Sequence, residues 1–480
     1  MRERQTVVAA VVYVSSVFVI SADMTIVHVA LPTIGLELGR PPVALAAVST
    51  AYTLSMAVFM PASGWLGDRL GSRTLILGAT AVFTLASVLC GIAQTLPQLL
   101  AARVLQGAVG GLMAPVGLAL LYRLVAVEGR IRLAAVLSIP SALGPAVGPV
   151  LGGVLTEQLS WRWAFFINVP VGVAVVVFGM LYMDAHRQPG EHRLDLVGLV
   201  LAGAGLSLLL LSISEIPARG VASVLVGASA AAGTALLALM VRWELRREHP
   251  AVDLRLLTDH LFRMSTVVLA VASLAYAAYL YVIAQFSQNV LQMSPTAAGL
   301  LMLPLALGYV LGAQLASRLV FPRVGPRATM QIGHVGLALA LLAMLFVDRD
   351  TGLLALCGLL LLAGTFTPVI FMASQTAAFG AIPDASMGRA SMLYSSQRQV
   401  FSALGVAAAA TALTALGPAT LTGGAPVTAP GPYHAVFVGC AAVSLAGAVF
   451  LCWMDDTTFP WRTPAAGTRH PEDDVQDSAA

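Results

Sequence analysis

Apolar runs of about twenty residues recur along the whole chain, and they constrain its fold more than any other feature. About twenty helical residues span the hydrocarbon core of a bilayer. Of the 480 residues, 58% are hydrophobic and only 10% are charged, too few to cover a soluble protein of this length. The sequence therefore predicts an all-α polytopic membrane protein. The first run is too long for a signal peptide and lacks a small-residue cleavage site, so no cleaved leader is expected.

Fourteen membrane-spanning helices are predicted, with each end set to within about four residues. They cover 7–31, 43–66, 74–94, 97–123, 131–156, 161–182, 195–214, 220–242, 261–287, 295–319, 327–347, 352–380, 390–415 and 434–454. All 26 basic residues are Arg. With a cytoplasmic N-terminus and alternating sides, most of them fall in cytoplasmic loops, as the positive-inside rule requires. The exceptions are the outer Arg40, Arg162, Arg219 and Arg349 and the intrahelical Arg103 and Arg398. Both termini are therefore predicted to be cytoplasmic.

Two predicted loops have related sequences. GWLGDRLGSR (64–73) and ASRLVFPRVGPR (316–327) share the order Arg, apolar residue, Gly, turn residue, Arg. Secondary transporters are commonly built from such repeats, with the substrate site between the two halves near the membrane midplane. Residues 1–182 and 261–454 are predicted to form two six-helix bundles. Residues 183–260 contain two inserted helices with their linkers, and residues 455–480 form a disordered cytoplasmic tail.

Several function classes are excluded by what the sequence lacks. Without Lys the chain cannot form a P-loop or a Schiff base. It contains no H-E-x-x-H or G-x-S-x-G motif, and its four Cys lie in apolar segments without metal-site spacing. We therefore expect neither an enzyme nor a metal or cofactor site, and any ATP-driven step would need a separate subunit.

One carboxylate interrupts the apolar stretch VFVISADMTIVHVALPTIG, namely Asp23, about sixteen residues into the first span. Arg103 lies well within the fourth span and is its obvious candidate partner. A carboxylate between a low-dielectric interior and a cation can take up and release a proton when its surroundings change. Asp23 and Arg103 are therefore predicted to couple proton movement to transport. The alternatives are a permanent ion pair that only orders the bundle, and an Arg103 that snorkels to the interface.

Several segments resemble the major facilitator superfamily. GWLGDRLGSR is similar to its loop between helices 2 and 3, LLAARVLQGAVGG (99–111) to its fourth-helix motif, and SALGPAVGPVLGGVL (141–155) to its antiporter motif. ADMTIVHVALPTI (22–34) and WRWAFFINVPVG (161–172) resemble motifs of the fourteen-helix drug:proton antiporter branch. Departures are His28, where the branch usually has Asn, and FPRVGPR, which lacks the acidic residue of the first copy.

The resemblance implies a major facilitator fold of two six-helix bundles plus two inserted helices. It further implies a monomeric exporter of amphipathic or cationic drugs or antibiotics, exchanged for protons by alternating access in a bacterial plasma membrane. Expected partners are the lipid bilayer, protons and a small-molecule substrate, and not nucleic acid. A proton-independent channel or facilitator and a proton-coupled importer of a small metabolite remain alternatives.

Two motifs carry candidate residues. The predicted cytoplasmic gate consists of Gly64, Asp68, Arg69, Gly71 and Arg73. Its carboxylate sits at a helix end, where Arg69, Arg73 or a neighbouring helix terminus could hold it as a latch; a solvated turn is the alternative. The antiporter motif consists of Gly144, Pro145, Gly148, Pro149, Gly152 and Gly153. Glycines four residues apart allow close helix packing, and prolines bend the helix. The resemblance implies that this helix prevents uncoupled leak.

A substrate cavity is predicted from polar, aromatic and Met side chains inside apolar spans, which suit varied apolar ligands. Helix packing or an interfacial aromatic belt is the alternative for each. The candidates are Met56, Gln106, Met113, Tyr276, Tyr279, Gln285, Gln288, Gln375, Tyr394 and Arg398.

Overall fold

Helices make up most of the residues that the computed structural model describes. The structure describes residues 2–39, 42–126, 129–137, 139–184, 195–220, 222–247, 252–380, 382–416, 420–422, 425–427 and 430–455. Its α-helices are α1 Arg2–Leu38, α2 Pro42–Phe59, α3 Ser63–Leu70, α4 Ser72–Gly91, α5 Leu96–Leu124, α6 Arg130–Leu137, α7 Ile139–Gln158, α8 Trp163–Phe166, α9 Asn168–Tyr182, α10 Leu196–Arg219, α11 Val224–Glu244, α12 His260–Asn289, α13 Pro295–Leu300, α14 Met302–Leu315, α15 Phe321–Ala343, α16 Leu353–Gly380, α17 Met387–Leu416 and α18 Gly431–Phe450. Two short strands, β1 Thr420–Thr422 and β2 Ala425–Val427, pair antiparallel. The predicted tail beyond residue 455 lies outside the described residues.

Within the described ranges, eleven helical stretches are long and apolar enough to cross a membrane. One of them, Ala297–Phe346, is 50 residues long and contains a backbone break at Gly325, where φ is +81°. Glycine adopts this conformation without the steric cost that other residues pay. The break lies inside the predicted loop 316–327, so the long helical stretch is interrupted within one of the two related loops.

Three predicted helices are each found as two pieces. They are 43–66 (α2 and α3), 161–182 (α8 and α9) and 295–319 (α13 and α14). Between α2 and α3 the chain forms a 3₁₀ turn, Met60–Ala62, that contains Pro61. Proline has no amide hydrogen to donate, so the regular hydrogen-bond ladder is interrupted there.

The helices before α10 and those after α11 pack in the same pattern. In the first group α1 packs on α5, α7 and α9, α5 also packs on α2 and α4, and α4 packs on α9. In the second group α12 packs on α16, α17 and α18, α16 also packs on α14 and α15, and α15 packs on α18. Each helix pair in the first group therefore has a counterpart in the second group, in which both helices lie eight predicted spans later in the chain. Helices α10 and α11 pack on each other, and α10 also contacts α2 and α17.

Glycines allow several of these helix pairs to approach closely. A Cβ added to Gly107 of α5 would lie 2.2 Å from the carbonyl oxygen of Tyr52 in α2. In the second group, a Cβ on Gly312 of α14 would lie 1.9 Å from the carbonyl oxygen of Thr365 in α16. Lipid provides no hydrophobic driving force between helices, so helix pairs are stabilised by close van der Waals packing, which small residues at the crossing allow.

Candidate functional site

One carboxylate and one guanidinium meet in the interior of the first helix group. Asp23 of α1 and Arg103 of α5 form an ion pair through Asp23 Oδ2 and Arg103 Nη1. Their side chains are 0% and 1% exposed. Arg103 thus points inward and does not snorkel to an interface. A pair so far from water is expensive unless other groups satisfy its remaining hydrogen-bonding capacity.

Polar side chains from three other positions complete the surroundings of Asp23. Asn168 of α9 donates to Asp23 Oδ1 at 2.8 Å, and Gln106 Nε2 lies 3.4 Å from the same oxygen. Gln106 also donates to the Ser87 hydroxyl at 2.8 Å. The predicted cavity residue Gln106 is therefore part of this buried network, because its helical position turns it toward α1 and α4. Asn168 was not among the predicted site residues, although an amide just before Pro170 in an apolar helix was a usable signal.

Arg103 has support that does not depend on Asp23. Its Nη1 donates to Gln106 Oε1 at 2.8 Å, and its Nε lies 3.4 Å from the carbonyl oxygen of Val48. Its guanidinium also lies 4.2 Å from the ring centre of Tyr52. Cation–π contact and charge-assisted hydrogen bonds stabilise a desolvated cation. The arrangement can therefore keep Arg103 charged while Asp23 changes its protonation.

The antiporter motif lies against the turn of α1 that carries Asp23. A Cβ on Gly144 would lie 2.4 Å from the Ser21 Cβ, and one on Gly148 would lie 1.9 Å from the Thr25 Oγ1. A Cβ on Gly152 would lie 3.1 Å from the Ile26 carbonyl oxygen. The glycine stripe thus fixes the helix that holds the buried carboxylate, while α7 also contacts α13 and α14 of the second group. Gly153 is only half-buried, and the side chains of Pro145 and Pro149 lie outside the described ones.

The WRWAFFINVPVG segment closes one end of the first group. Trp161 Nε1 donates to Glu37 Oε2 at 2.7 Å, and Arg162 forms an ion pair with the same carboxylate. The hydrogen bond from Arg162 holds the pKa of Glu37 below its usual value of 4.5. This segment therefore connects the end of α1 to the start of α8. Asn168, which contacts Asp23, lies seven residues after Trp161 in the same segment.

At the other end of the bundle, called here the Asp68 end, the gate motif is ion-paired. Asp68 Oδ1 lies 3.2 Å from Arg123 Nη2 at the end of α5. The predicted partners make other contacts: Arg69 stacks on the ring of Trp65 at 5.0 Å, and Arg73 donates to the Met180 carbonyl at 2.6 Å. Sequence reasoning missed Arg123 because it lies 55 positions away on a different helix.

The Asp68 end is closed by contacts between the two helix groups. Arg123 Nε donates to the Asp384 carbonyl at 3.0 Å, and Arg130 Nη2 lies 3.9 Å from the Asp384 carboxylate. A Cβ on Gly64 would lie 3.4 Å from the backbone of Gly388, and one on Gly388 would lie 3.8 Å from Asp68 Oδ1. Asp68 therefore faces the first turn of α17, where a carboxylate interacts favourably with the helix dipole. Gly71, with φ +82°, makes the turn into α4.

Removing the Asp68–Arg123 pair is expected to shift the protein modestly toward opening at this end. Both residues belong to the first helix group, and the pair acts on closure by holding Arg123 where its Nε reaches the Asp384 carbonyl of the second group. Because Asp68 is 30% exposed, the effect is about 0.5–1 kcal/mol, and Asp68→Asn should lower the ratio of closed to open protein about two- to fivefold. The measurement is an electron-spin distance distribution between labels on the two helix groups. Arg123→Gln should give a similar shift, and the double variant should shift the distribution little further. Arg318→Gln, at an exposed position, is the control and should cause no shift. Additive shifts would show that the two residues act separately.

A cavity of about 230 Å³ lies between the two helix groups. Four predicted cavity residues are in its wall: Met56, Gln375, Tyr394 and Arg398. The first group also contributes residues of α1, among them Ser21 and Met24, which flank Asp23 in sequence. Tyr13 and Tyr309 were not predicted, because an isolated Tyr in an apolar helix carries no signal for which face it occupies.

The other predicted cavity residues take structural positions. Tyr276 lies behind the wall, with its ring 6.1 Å from Tyr309 and 5.9 Å from Phe371. Tyr279, one helical turn further, is fully buried with its ring 6.2 Å from that of Phe437. The prediction grouped these residues by composition, which does not reveal the partner against which each ring packs.

The remaining three candidates are also accounted for by local contacts. Met113 is buried and its sulfur lies 3.2 Å from the Thr80 hydroxyl. Gln285 Nε2 lies 3.3 Å from the Tyr281 hydroxyl, and Gln288 donates to the Ala284 carbonyl at 3.2 Å. None of the three is in the described wall of the central cavity.

A second cavity, of about 410 Å³, lies beside the first. Helices α1, α2, α10, α12 and α17 form its wall, and His28 is in it. Both cavities have Met24, Gln399 and Ser402 in their walls, so they adjoin at these three side chains. We call them the central cavity and the side cavity.

Both the sequence and the fold resemble those of known proteins. The sequence profile described as Major Facilitator Superfamily matches residues 13–406 and, a second time, 266–474. The chain is 33% identical to the "Multidrug resistance protein B homolog" of Mycobacterium tuberculosis over 397 residues, 82% of this chain and 73% of that protein. It is 31% identical to the "Putative multidrug resistance protein MdtD" of Citrobacter koseri over 389 residues, 81% and 82% of the two chains. The crystal structure of the human organic anion transporter MFSD10 (TETRAN) aligns with a TM-score of 0.67 over 94% of this chain and 99% of that one; at 16% identity the likeness is one of fold.

Proposed function

The chain belongs to the major facilitator superfamily, and we propose that it exports amphipathic or cationic drugs or antibiotics in exchange for protons. Members of this superfamily are in general carriers and not enzymes. Relatives at 31–33% identity that are named multidrug resistance proteins support drug export. Their bacterial origin supports a bacterial plasma membrane as the location. A central cavity formed within a single chain is consistent with a monomer.

Fourteen spans with both termini in the cytoplasm are part of the proposal. Dividing Ala297–Phe346 at Gly325 adds one span to the eleven found in the described ranges, and α2–α3 and α6–α7 add two more. The units 1–182 and 261–454 are supported by the repeated packing pattern and by the second profile match, which begins at residue 266. The Asp68 end is then the cytoplasmic end, in agreement with its Arg content.

Alternating access is supported by the position of the central cavity. It lies between the two helix groups, and at the Asp68 end these groups are joined by the Arg130–Asp384 ion pair, by the hydrogen bond from Arg123 to the Asp384 carbonyl and by close glycine contacts. Transporters of this type open and close around a fixed central site by rocking one half against the other. Breaking the contacts at the Asp68 end would give the cavity access to the cytoplasm.

Proton coupling rests on one observation about α1. The same short segment directs Asp23 into the buried network and places Ser21 and Met24 in the wall of the cavity. Protonation of Asp23 removes its attraction for Arg103, while Gln106 and Tyr52 continue to hold the guanidinium. A movement of α1 that follows this loss would change the cavity wall, and this links proton binding to substrate binding.

The proposal is tested with purified protein in liposomes that carry an imposed pH gradient and an internal pH dye. Cationic, neutral and anionic amphipathic dyes and antibiotics are added in turn. We expect at least one compound to dissipate the gradient in protein-containing liposomes and not in protein-free ones. Equal flux with and without the gradient would identify a facilitator, and substrate and protons moving in the same direction would identify an importer.

A further inference from the structure

The wall of the central cavity carries a positive charge and, among the described residues, no carboxylate. Arg398 of α17 is its one charged side chain there. Its guanidinium lies 5.3 Å from the ring centre of Phe371, which is also in the wall. Asp23 does not offset this charge, since its side chain is turned away into the buried network and is neutralised by Arg103. The described part of the wall therefore carries one positive charge and no negative one.

The wall that contains Arg398 also contains several hydrogen-bonding groups. Gln375, Ser395 and Gln399 provide amides and a hydroxyl, and Tyr309 and Tyr394 provide phenol groups. Amide N–H and hydroxyl groups donate readily to an anion, and a guanidinium offers a planar set of donors for oxyanions. This end of the site fits a compact oxyanion.

The side cavity offers the opposite chemistry. Much of its wall is apolar, with Leu54 of α2, Leu210 of α10, Ala277 of α12 and Val406 of α17. The two cavities adjoin at Met24, Gln399 and Ser402. A Met side chain is unbranched and flexible, so a small rotation of Met24 can join the two spaces. Their volumes, about 230 and 410 Å³, suit a ligand of drug size.

We propose that the two cavities form one bipartite site for an amphipathic anion of drug size, with its acidic group at Arg398 and its apolar part in the side cavity beside α10. The proposal narrows the substrate class of the proposed function. That the bound anion is also the transported compound rests on the proposed function. It also gives the inserted helix α10 a role in binding, because Leu210 and Ser214 line the side cavity. An amphipathic cation of the same shape meets the charge of Arg398 in a low-dielectric space and binds less well.

The test is equilibrium binding, which is independent of proton coupling. Isothermal titration calorimetry is run on the full chain in nanodiscs of zwitterionic lipid, with empty nanodiscs subtracted. The probes are decane-1-sulfonate and decyltrimethylammonium, which share a chain length and carry permanent opposite charges. We expect the sulfonate to bind on the order of tenfold or more tightly than the ammonium compound. Equal affinities, or tighter binding of the cation, overturn the proposal.

Variants locate the two ends of the ligand. Arg398→Gln should weaken sulfonate binding at least tenfold and not weaken ammonium binding, whereas Arg398→Lys should retain the preference for the anion even if Arg398→Gln does not fold. Ala277→Phe should weaken the binding of decane-1-sulfonate and leave the binding of the shorter hexane-1-sulfonate unchanged. The matched control is Ala228→Phe on the exposed face of α11, which should change neither. An anion preference unaffected by both Arg398 variants, or a chain-length effect shared by the control, contradicts the assignment.

A last arm distinguishes a free amphiphile from a membrane lipid. Adding phosphatidylglycerol to the nanodiscs should leave decane-1-sulfonate affinity within about twofold; loss of binding would assign the site to an acidic lipid and overturn the proposal of a drug-sized ligand. If the sulfonate binds as expected but fails to dissipate a pH gradient in liposomes, the binding site stands and the proposed antiport fails for this ligand.

Discussion

Asp23→Asn is expected to abolish gradient-driven transport while leaving substrate binding in place. Asparagine keeps the shape of the side chain but cannot bind or release a proton. Flux under a pH gradient should therefore fall to the flux without one. The measurement is the liposome assay, paired with equilibrium binding of the same compound to the same variant.

The same substitution is expected to destabilise the protein, because it leaves Arg103 charged in an interior where it is 1% exposed. Losing one partner of a buried ion pair costs roughly 3–5 kcal/mol, and the amide oxygen of Asn together with Gln106 and Tyr52 should keep the loss near the lower figure. Thermal unfolding in detergent measures it.

The double variant Asp23→Asn with Arg103→Gln separates coupling from stability. It carries neither charge of the buried pair, so its thermal stability should recover much of the loss, whereas its gradient-driven flux should stay at background. If the double variant recovers both, the pair only orders the bundle. If Asp23→Asn alone transports normally, the proton is carried elsewhere.

Gly148→Ala is expected to disturb α1 and with it the buried network. The added Cβ would lie 1.9 Å from Thr25 Oγ1 and 2.8 Å from Thr25 Cβ. Rotation of Thr25 is opposed by its hydrogen bonds to the carbonyls of Ala22 at 3.0 Å and Gly144 at 3.1 Å. Overpacking of this kind costs about 1–3 kcal/mol, and we expect a lower unfolding temperature and a rise in substrate-independent proton leak. Both are measured on purified protein, the leak in liposomes.

Two further variants test the cause. Thr25→Ala in the Gly148→Ala background removes the closest contact and leaves the 2.8 Å one, so stability should recover in part. Gly78→Ala is the matched control, since a Cβ there meets nothing within 4 Å and a helical Gly→Ala change stabilises by about 0.5–1 kcal/mol. A proton leak without loss of stability would mean that the glycines of α7 (Gly144, Gly148 and Gly152) prevent leak through the contacts of α7 with α13 and α14, and not through α1.

The sequence predicted contacts most accurately where burying a residue is energetically costly. A carboxylate and a guanidinium inside apolar spans each required a partner, and the structure pairs Asp23 with Arg103. The loop repeat at 316–327 likewise required a turn, and the chain breaks at Gly325. These inferences succeed because burial of a charge or a reversal of a helix leaves few physical solutions.

Residues whose types fit many positions were predicted less well. Tyr276 and Tyr279 are equally plausible cavity residues by composition, yet one lies behind the cavity wall and the other is buried against Phe437. Asn168 and Arg123 were missed because their partners are distant in sequence. No local pattern records which helix a side chain will face.

The sequence by itself determined the membrane-spanning helical architecture, the family resemblance and the need for a buried charge pair, since the apolar length of a span and the cost of an unpaired charge are properties of short segments. Only the tertiary structure decided that Arg123 holds Asp68, that Asn168 completes the setting of Asp23, and that Arg398 lies in a cavity without a described carboxylate. The reason is that these arrangements depend on the rotation and crossing of helices, which are set by contacts between residues far apart in the chain.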